Sequence, residues 1–198
     1  MGLFQNTIVK RYLKGADDKI LPLYKQYTTY FHHPEIQENI RNSKEEQFQE
    51  GFLRELFVKV LGYTLHPEPN YNLITEQKNA TNSRKADGAI LVGGEVVGVI
   101  ELKDYKTIDL KQVEAQAFGY KNYHRKASYI VISNFEKLRF YIDNAIDCIE
   151  FNLFTLTSEE FSLLWLCLAW ENIANDLPKQ LKGESSNSEF LITRQLYK

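Results

Sequence analysis

The chain has few of the features that mark exported, membrane-spanning or disulfide-bonded proteins. Its 198 residues include only two cysteines, Cys148 and Cys167, which give neither a disulfide framework nor a zinc-ligand spacing and favour a reducing compartment. The N-terminal segment lacks the continuous apolar stretch of a signal peptide, and no run of about eighteen apolar residues occurs anywhere. We therefore predict a soluble, cytoplasmic protein without a membrane partner.

A strong excess of one charge is also missing, since the formal net charge is -2. The charges are nevertheless unevenly distributed along the chain. Residues 103–126 hold six Lys or Arg against three Asp or Glu, whereas residues 143–176 hold seven acids and no Lys or Arg. A locally basic segment is enough to bind phosphates. The alternative is a solvated face of mixed charge, which would need no polyanionic partner.

Hydrophobic periodicity divides the chain into a helical beginning, a mixed middle and a helical end. We predict an aromatic-rich helical extension over residues 1–42, with helices interrupted at Pro22 and Pro34. Residues 43–150 are expected to form an α/β core, in which a mixed central sheet is flanked by helices. Residues 151–198 are expected to add a helical extension.

Spacing and turn residues predict individual elements of the core. Apolar residues at three- and four-residue intervals over 43–63 predict an amphipathic helix, with Ser43 and Glu46 as a capping box and Gly62 as its stop. Two β-branched runs separated by Gly93-Gly94 predict a β-hairpin. The remaining predicted elements are a strand near 71–76, a polar loop over 80–85, a helix over 107–126, and strands over 127–134 and 137–144.

The C-terminal segment is predicted to start with a strong helix, capped by Thr157 or Ser158. Residues 177–189 have the Gly, Ser and Asn content of a linker. The last residues, 190–198, begin a helical pattern that then stops. We therefore expect the chain to be the N-terminal part of a longer protein.

Charged residues are predicted to converge at one end of the hairpin. Side chains alternate along a strand, so Glu101 and Lys103 lie on one face and Leu102 on the other. A tight turn brings the start of the first strand, at Asp87, beside the end of the second. Two carboxylates and one ammonium are therefore expected together at the edge of the sheet.

This combination of charges suits metal-dependent phosphate chemistry. Two adjacent carboxylates are costly to bury unless a cation neutralises them. Mg²⁺ takes hard oxygen ligands, here Asp87, Glu101 and the backbone carbonyl of Leu102, and Mn²⁺ can substitute for it. Such a metal polarises a phosphoryl oxygen, while Lys103 would act as a base or stabilise charge on phosphorus. The alternative is a solvated Glu–Lys pair, which contributes little to stability.

The predicted helix after this strand carries a second motif. Gln116 and Tyr120 lie at i and i+4, on one face of the helix. We predict that they hold a nucleotide or phosphate near the metal. The alternative is an exposed polar stripe with a half-packed tyrosine.

Together the two motifs resemble the PD-(D/E)xK nuclease superfamily, through Asp87, Glu101, Leu102, Lys103, Gln116 and Tyr120. The resemblance covers residues 43–142 and is closest to the N-terminal endonuclease domain of type IIG restriction enzymes, which fuse a nuclease to an adenine methyltransferase. It implies a restriction-endonuclease-like fold in which Asp87 and Glu101 bind Mg²⁺ and Lys103 is catalytic.

The same resemblance implies a further acidic residue and shows one departure. In this superfamily a glutamate early in the first core helix often completes the metal site. Glu46 matches it best by its distance to the Gly-Tyr pair at 62–63, and Glu50, one turn later, is the competitor. Ala86 stands where the superfamily name has proline.

The implied function is a Mg²⁺-dependent endonuclease that cuts double-stranded DNA in a restriction-modification system for phage defence. Methyltransferase and target-recognition regions would follow in the same chain, and a double-strand break would need dimerisation, because one site cuts one strand. No F-x-G-x-G or N-P-P-[YF] motif occurs, so we expect no binding of the methyl donor. Two alternatives are a RecB-like or other standalone defence nuclease, and a catalytically inactive DNA-binding or scaffold domain with the nuclease fold.

Overall fold

The first part of the chain is helical, as its apolar spacing predicts. A computed structural model describes residues 2–78 and 85–196. Its N-terminal helices are α1 (Asn6–Leu13), α2 (Asp17–Phe31), α3 (Pro34–Asn42) and α4 (Glu45–Phe52). A π-helical segment, Leu53–Val58, continues directly from α4. Pro34 occupies the first turn of α3, where its missing N–H costs no hydrogen bond.

The middle of the chain forms one mixed sheet whose strands lie in chain order. The strands are β1 (Leu73–Lys78), β2 (Lys85–Val92), β3 (Glu95–Leu102), β4 (Tyr129–Ser133), β5 (Lys137–Ile142) and β6 (Cys148–Asn152). Strands β3 and β4 are parallel, and all other neighbours are antiparallel. A parallel pair needs a crossover connection. A 3-10 segment, Leu110–Val113, and helix α5 (Glu114–Lys121) supply it.

The C-terminal helices are α6 (Ser158–Leu168), α7 (Trp170–Ala174) and α8 (Leu177–Leu196). Together with α1–α4 they share one apolar core with a face of the sheet, where Ile100, Leu102 and Val131 are fully buried. Burial of such side chains contributes about 1.5–3 kcal/mol each. The apolar cluster on the opposite face of the sheet is smaller. There Ile130 and Ile132 pack with the 3-10 segment and α5.

The structure confirms an α/β architecture with a six-stranded mixed sheet flanked by helices. It also confirms the hairpin, because Gly93 and Gly94 both have positive φ, 58° and 80°, as the tightest turns require. Thr157 is the N-cap of α6, and its side chain accepts from the Glu160 N–H at 3.2 Å. Most of the predicted polar loop over 80–85 lies outside the described residues.

The predicted linker over 177–189 is wrong. These residues form the first part of helix α8. Leu181 is fully buried in the main core, and the Ser185 hydroxyl accepts a hydrogen bond from the Gln5 N–H at 3.0 Å. Tertiary packing therefore overrides the low helix propensity of the Gly and Ser residues.

The predicted interruption at Pro22 is also wrong, because α2 continues through it. Its buried residues Ile20, Tyr27 and Phe31 lie on both sides of the proline, so core packing compensates for the missing backbone donor. Strand β6 was missed because it is short and polar at alternate positions. Its end at Asn152 falls beyond the predicted core boundary at residue 150.

The three segments predicted as separate regions contribute to a single core. Ile8 from the N-terminal extension, Phe52 from the core helix and Leu164 from the C-terminal extension belong to one cluster of buried residues. No helix in the described ranges is both long enough and apolar enough to cross a membrane.

Candidate active site

The hairpin brings Asp87 and Glu101 together at one end of the sheet. Gly88 pairs with Ile100, so the next position along the ladder sets Asp87 opposite Glu101 on the same face. Asp87 Oδ2 accepts a hydrogen bond from the Leu102 N–H at 2.7 Å. A register shift between Ile90 and Leu91 produces this pairing, since the register at the Gly-Gly turn would set Asp87 opposite Ile100. The hairpin with this shift places both carboxylates at the edge that the sequence predicted.

Glu101 is the most buried member of this group, with 1% of its side chain exposed. Its Oε1 accepts hydrogen bonds from Lys103 Nζ, at 2.6 Å, and from Gln116 Nε2. Its Oε2 is buried and has no hydrogen-bond partner among the described residues. One oxygen of a buried carboxylate is therefore held by two donors, while the other faces none.

This environment disfavours the charged form of Glu101. Burial raises the pKa of Glu101 to about 7, and the negative charge of Asp87 adds to the increase. The hydrogen bond and charge of Lys103 act in the opposite direction but do not outweigh these effects. The ammonium of Lys103 therefore does not offset the effect of burying Glu101 beside Asp87.

The neighbouring carboxylates favour the cationic form of Lys103, which has 21% of its side chain exposed. Burial alone would lower the pKa of Lys103, but the hydrogen bond to Glu101 and the charges of the carboxylates raise it. The shift at Lys103 favours the ion pair, whereas the shift at Glu101 opposes it. The unequal burial of the two groups accounts for this difference.

The early-helix glutamate at the site is Glu45, whereas Glu46 and Glu50 were the predicted candidates. Glu45 Oε2 lies 3.8 Å from Lys103 Nζ. Burial raises the pKa of Glu45, and Asp87 contributes to the increase. Glu46 is exposed, and Glu50 is exposed and pairs with Arg54 at 2.9 Å.

The phase of α4 explains this difference. The predicted capping box is wrong, since the Ser43 hydroxyl donates to the Asn39 carbonyl at 2.7 Å, at the end of α3. The first turn of α4 is instead closed by Gln47, whose Oε1 accepts from the Lys44 N–H at 2.7 Å. A signal was present in the sequence, because Glu45 precedes the buried Phe48 by three residues and so shares its helix face.

Gln116 and Tyr120 reach the site from α5, on the face of the sheet opposite the main core. Gln116 Nε2 donates to Glu101 and lies 3.2 Å from the Tyr120 hydroxyl. Tyr120 is buried among Ala86, Ala89 and other small side chains. The structure therefore connects this motif to the Glu101 carboxylate, which makes it a support for the acidic group.

Sequence reasoning missed Gln49, which lies one turn after Glu45 in α4. Its Nε2 donates to Glu45 Oε1 at 3.0 Å and to Asp87 Oδ1 at 3.2 Å. Glutamine carries no charge, so a search for catalytic acids and bases does not select it. The signal that could have found it is its position on the same helix face as Glu45.

The residues at this edge are chemically suited to a hard divalent cation. Asp87 and Glu101, with Glu45 beside them, offer carboxylate oxygens, and Oε2 of Glu101 has no donor among the described residues. Within the described ranges no three acidic, His or Cys side chains come close enough to form a complete metal site by themselves. Backbone carbonyls and water would complete the ligand set, and the Leu102 carbonyl remains a predicted ligand.

The basic segment predicted over 103–126 does not form a single patch at this site. Lys103 lies in the acidic cluster, whereas Lys126 Nζ lies 3.6 Å from Glu95 at the start of β3, the opposite end of the sheet. Charge counted along the chain therefore overestimates the positive charge near the carboxylates.

Comparison of the chain with protein-family models, curated proteins and solved structures found no match. The α/β architecture with a mixed sheet stands on the structure itself. The restriction-endonuclease-like fold and the superfamily resemblance remain predictions from the motif residues.

Proposed function

We propose that this chain is a Mg²⁺-dependent DNA endonuclease domain that hydrolyses phosphodiester bonds at the edge formed by Asp87, Glu101 and Lys103. The observation that carries the proposal is the Glu101 carboxylate, which is buried beside a second carboxylate and whose Oε2 has no hydrogen-bond partner in the described part of the chain. A buried acceptor without a donor is costly, and a divalent cation would supply the missing positive charge.

Asp87 and Glu101 would hold the metal with the Leu102 carbonyl as a further oxygen donor, and Glu45 would lie beside them. Mg²⁺, or Mn²⁺ in its place, supplies polarisation of a phosphoryl oxygen and lowers the pKa of water when it is bound. Gln116 holds Oε1 of Glu101 and leaves Oε2 available to the cation. The Tyr120 hydroxyl accepts a hydrogen bond from this amide, and its ring is buried on the face of the sheet that α5 covers.

Lys103 acts as a stabiliser of negative charge on the phosphate. The carboxylates around it raise the pKa of its ammonium, so Lys103 keeps its proton near neutral pH. A protonated lysine cannot accept a proton from water, but it stabilises charge that develops on phosphorus in the transition state. This favours the electrostatic role over the alternative role as a general base.

The finer proposal, which rests on the motif resemblance, is the endonuclease domain of a type IIG restriction-modification enzyme. Double-stranded DNA is then the substrate, and methyltransferase and target-recognition regions of the same chain are the partners. A second copy would be needed to cut both strands. A methyltransferase reading frame directly after this sequence would support this assignment over a RecB-like or standalone defence nuclease.

Nicking of supercoiled plasmid tests the proposal. We expect the chain to nick DNA only with Mg²⁺ or Mn²⁺, and Asp87→Asn to lower the rate by a factor on the order of 1,000, because a ligand oxygen is lost. Calorimetry should show weaker Mg²⁺ binding by the same variant. Asp18→Asn, an exposed position in the first turn of α2, is the matched control and should change neither measurement.

The possible outcomes separate the candidate functions. Mg²⁺ binding without nicking would leave the metal site standing and would contradict cleavage by this chain alone. A wild-type chain that neither binds Mg²⁺ nor nicks DNA would contradict the whole proposal and favour the inactive scaffold domain.

A further inference from the structure

Both carboxylate oxygens of Asp87 are held by donors from different parts of the fold. Oδ2 accepts from the Leu102 N–H of β3 at 2.7 Å, and Oδ1 accepts from Gln49 Nε2 of α4 at 3.2 Å. The same nitrogen donates to Glu45 Oε1 at 3.0 Å. Gln49 therefore joins two acidic side chains that come from a helix and from the sheet.

We propose that Gln49 is a positioning residue that orients Asp87 and Glu45 for the divalent cation. This inference rests on the proposed function, because it assumes a metal at the same carboxylates. Groups that hydrogen-bond to metal ligands orient those ligands, and their loss typically weakens metal binding. Gln49 makes no contact with the reacting phosphate in this scheme and acts through the two carboxylates.

An amide is chemically suited to this position. The NH₂ group of glutamine has two hydrogens, so one nitrogen can serve two carboxylates at once. Because the amide is neutral, it holds Asp87 and Glu45 without cancelling the negative charge that attracts a cation. A lysine would cancel it, as Lys103 partly does beside Glu101.

Helix α4 holds this amide in a fixed place. The neighbouring Phe48 and Phe52 pack against Phe135, with ring centroids 5.1 and 5.3 Å apart, and Phe52 is fully buried. Gln116 has a similar role on the opposite face of the sheet, where its amide donates to Glu101 from α5. Two amides, one from a helix on each face of the sheet, thus hold the acidic cluster in place.

The decisive variant is Gln49→Leu, which removes both donors and keeps a similar side-chain volume. We expect its Mg²⁺ affinity, measured by calorimetry on the whole chain, to fall on the order of 10- to 100-fold. The Mg²⁺ concentration that gives half-maximal nicking should rise by the same factor, and saturating Mg²⁺ should restore most of the rate. A purely structural defect would lower the rate at every Mg²⁺ concentration.

Gln47→Leu is the matched control in the same helix. It removes the acceptor of the Lys44 N–H and so weakens the start of α4 without removing a contact to Asp87. We expect its Mg²⁺ affinity to stay near that of the wild type. An equal loss in Gln47→Leu and Gln49→Leu would overturn the inference and would assign the effect to helix stability.

Two further outcomes distinguish this inference from the proposed function. Unchanged Mg²⁺ affinity in Gln49→Leu, in a protein that loses Mg²⁺ binding with Asp87→Asn, would overturn the positioning role and leave the metal site intact. A wild-type chain that binds no Mg²⁺ would overturn both.

Discussion

The two ends of the central sheet differ in how fully their polar groups are hydrogen-bonded. At the end opposite the candidate site, the Tyr129 hydroxyl donates to Asp176, and Lys182 Nζ donates to the Ile142 carbonyl at 2.7 Å. Each of these contacts joins the sheet to α8 or to the residue directly before it. At the site end, Glu101 keeps an oxygen without a partner among the described residues, beside the carboxylate of Asp87.

This contrast separates a structural role from a functional one. Paired polar groups fix the docking of a helix at little cost, whereas crowded carboxylates lower the stability of the fold. Proteins keep such local costs mainly where function requires them. The difference predicts that substitutions at the site end change metal binding and cleavage, whereas substitutions at the far end change stability alone.

The largest expected effect is that of Lys103→Met on cleavage. The variant removes the ammonium 2.6 Å from Glu101 and should lower the nicking rate at saturating Mg²⁺ by a factor on the order of 1,000. Lys126→Met, which removes an exposed partner of Glu95 at the other end, is the control and should stay within about twofold of wild type. A Lys103→Met chain that kept more than about a tenth of the rate would remove Lys103 from the catalytic role.

The next effect is a pH-dependent gain in stability from Glu101→Gln. The pKa of Glu101 is about 7 in the folded chain against 4.5 ordinarily, so the native state holds this proton more tightly than the unfolded state. The stability gained from protonated Glu101 is therefore fully present below pH 4.5 and is lost as the pH rises through 7. Without metal, we expect Glu101→Gln to raise the free energy of unfolding by up to about 3 kcal/mol at pH 8, and little at pH 4.

Urea denaturation in the presence of a chelator, at both pH values, measures this difference. Glu50→Gln, at an exposed position paired with Arg54, is the control and should change the free energy of unfolding by less than about 0.5 kcal/mol. Mg²⁺ should stabilise the wild type and remove the advantage of Glu101→Gln at pH 8. An equal gain at both pH values would show that the burial of charge is not its cause.

The approach of Asp87 to the end of β3 could be predicted from the sequence, because a tight hairpin turn is a local feature, but the exact register could not. A Gly-Gly turn with two positive φ angles closes the hairpin, but its register alone would set Asp87 opposite Ile100. A register shift between Ile90 and Leu91 moves Asp87 opposite Glu101. The alternation of side chains along β3 then sets Glu101 and Lys103 on one face. The turn and the alternation are local rules, whereas the register shift was not predicted from the sequence.

Two kinds of feature could not be predicted in this way. One depends on which of two helices a polar side chain bonds to, and the other depends on packing between residues distant in the sequence. The identity of the early-helix acid depends on where α4 starts, and Ser43 bonds back to α3 instead of capping α4. Helix α8 depends on Leu181 reaching a core formed by the whole chain. The Gln49 contacts depend on the residue at which α4 starts and on the position of α4 over the sheet.

The smallest expected effect is that of Tyr129→Phe at the far end. The variant removes one hydroxyl that donates to Asp176 and should lower the free energy of unfolding by about 1.5 kcal/mol, the lower end of the range for a hydrogen bond to a carboxylate. Mg²⁺ affinity and nicking should not change, because Lys182 still fixes α8 through the Ile142 carbonyl. Denaturation and calorimetry on the same sample measure both quantities. A change in Mg²⁺ affinity would mean that the two ends of the sheet are energetically coupled. The cost of burying Glu101 at the site end could then not be assigned to function alone.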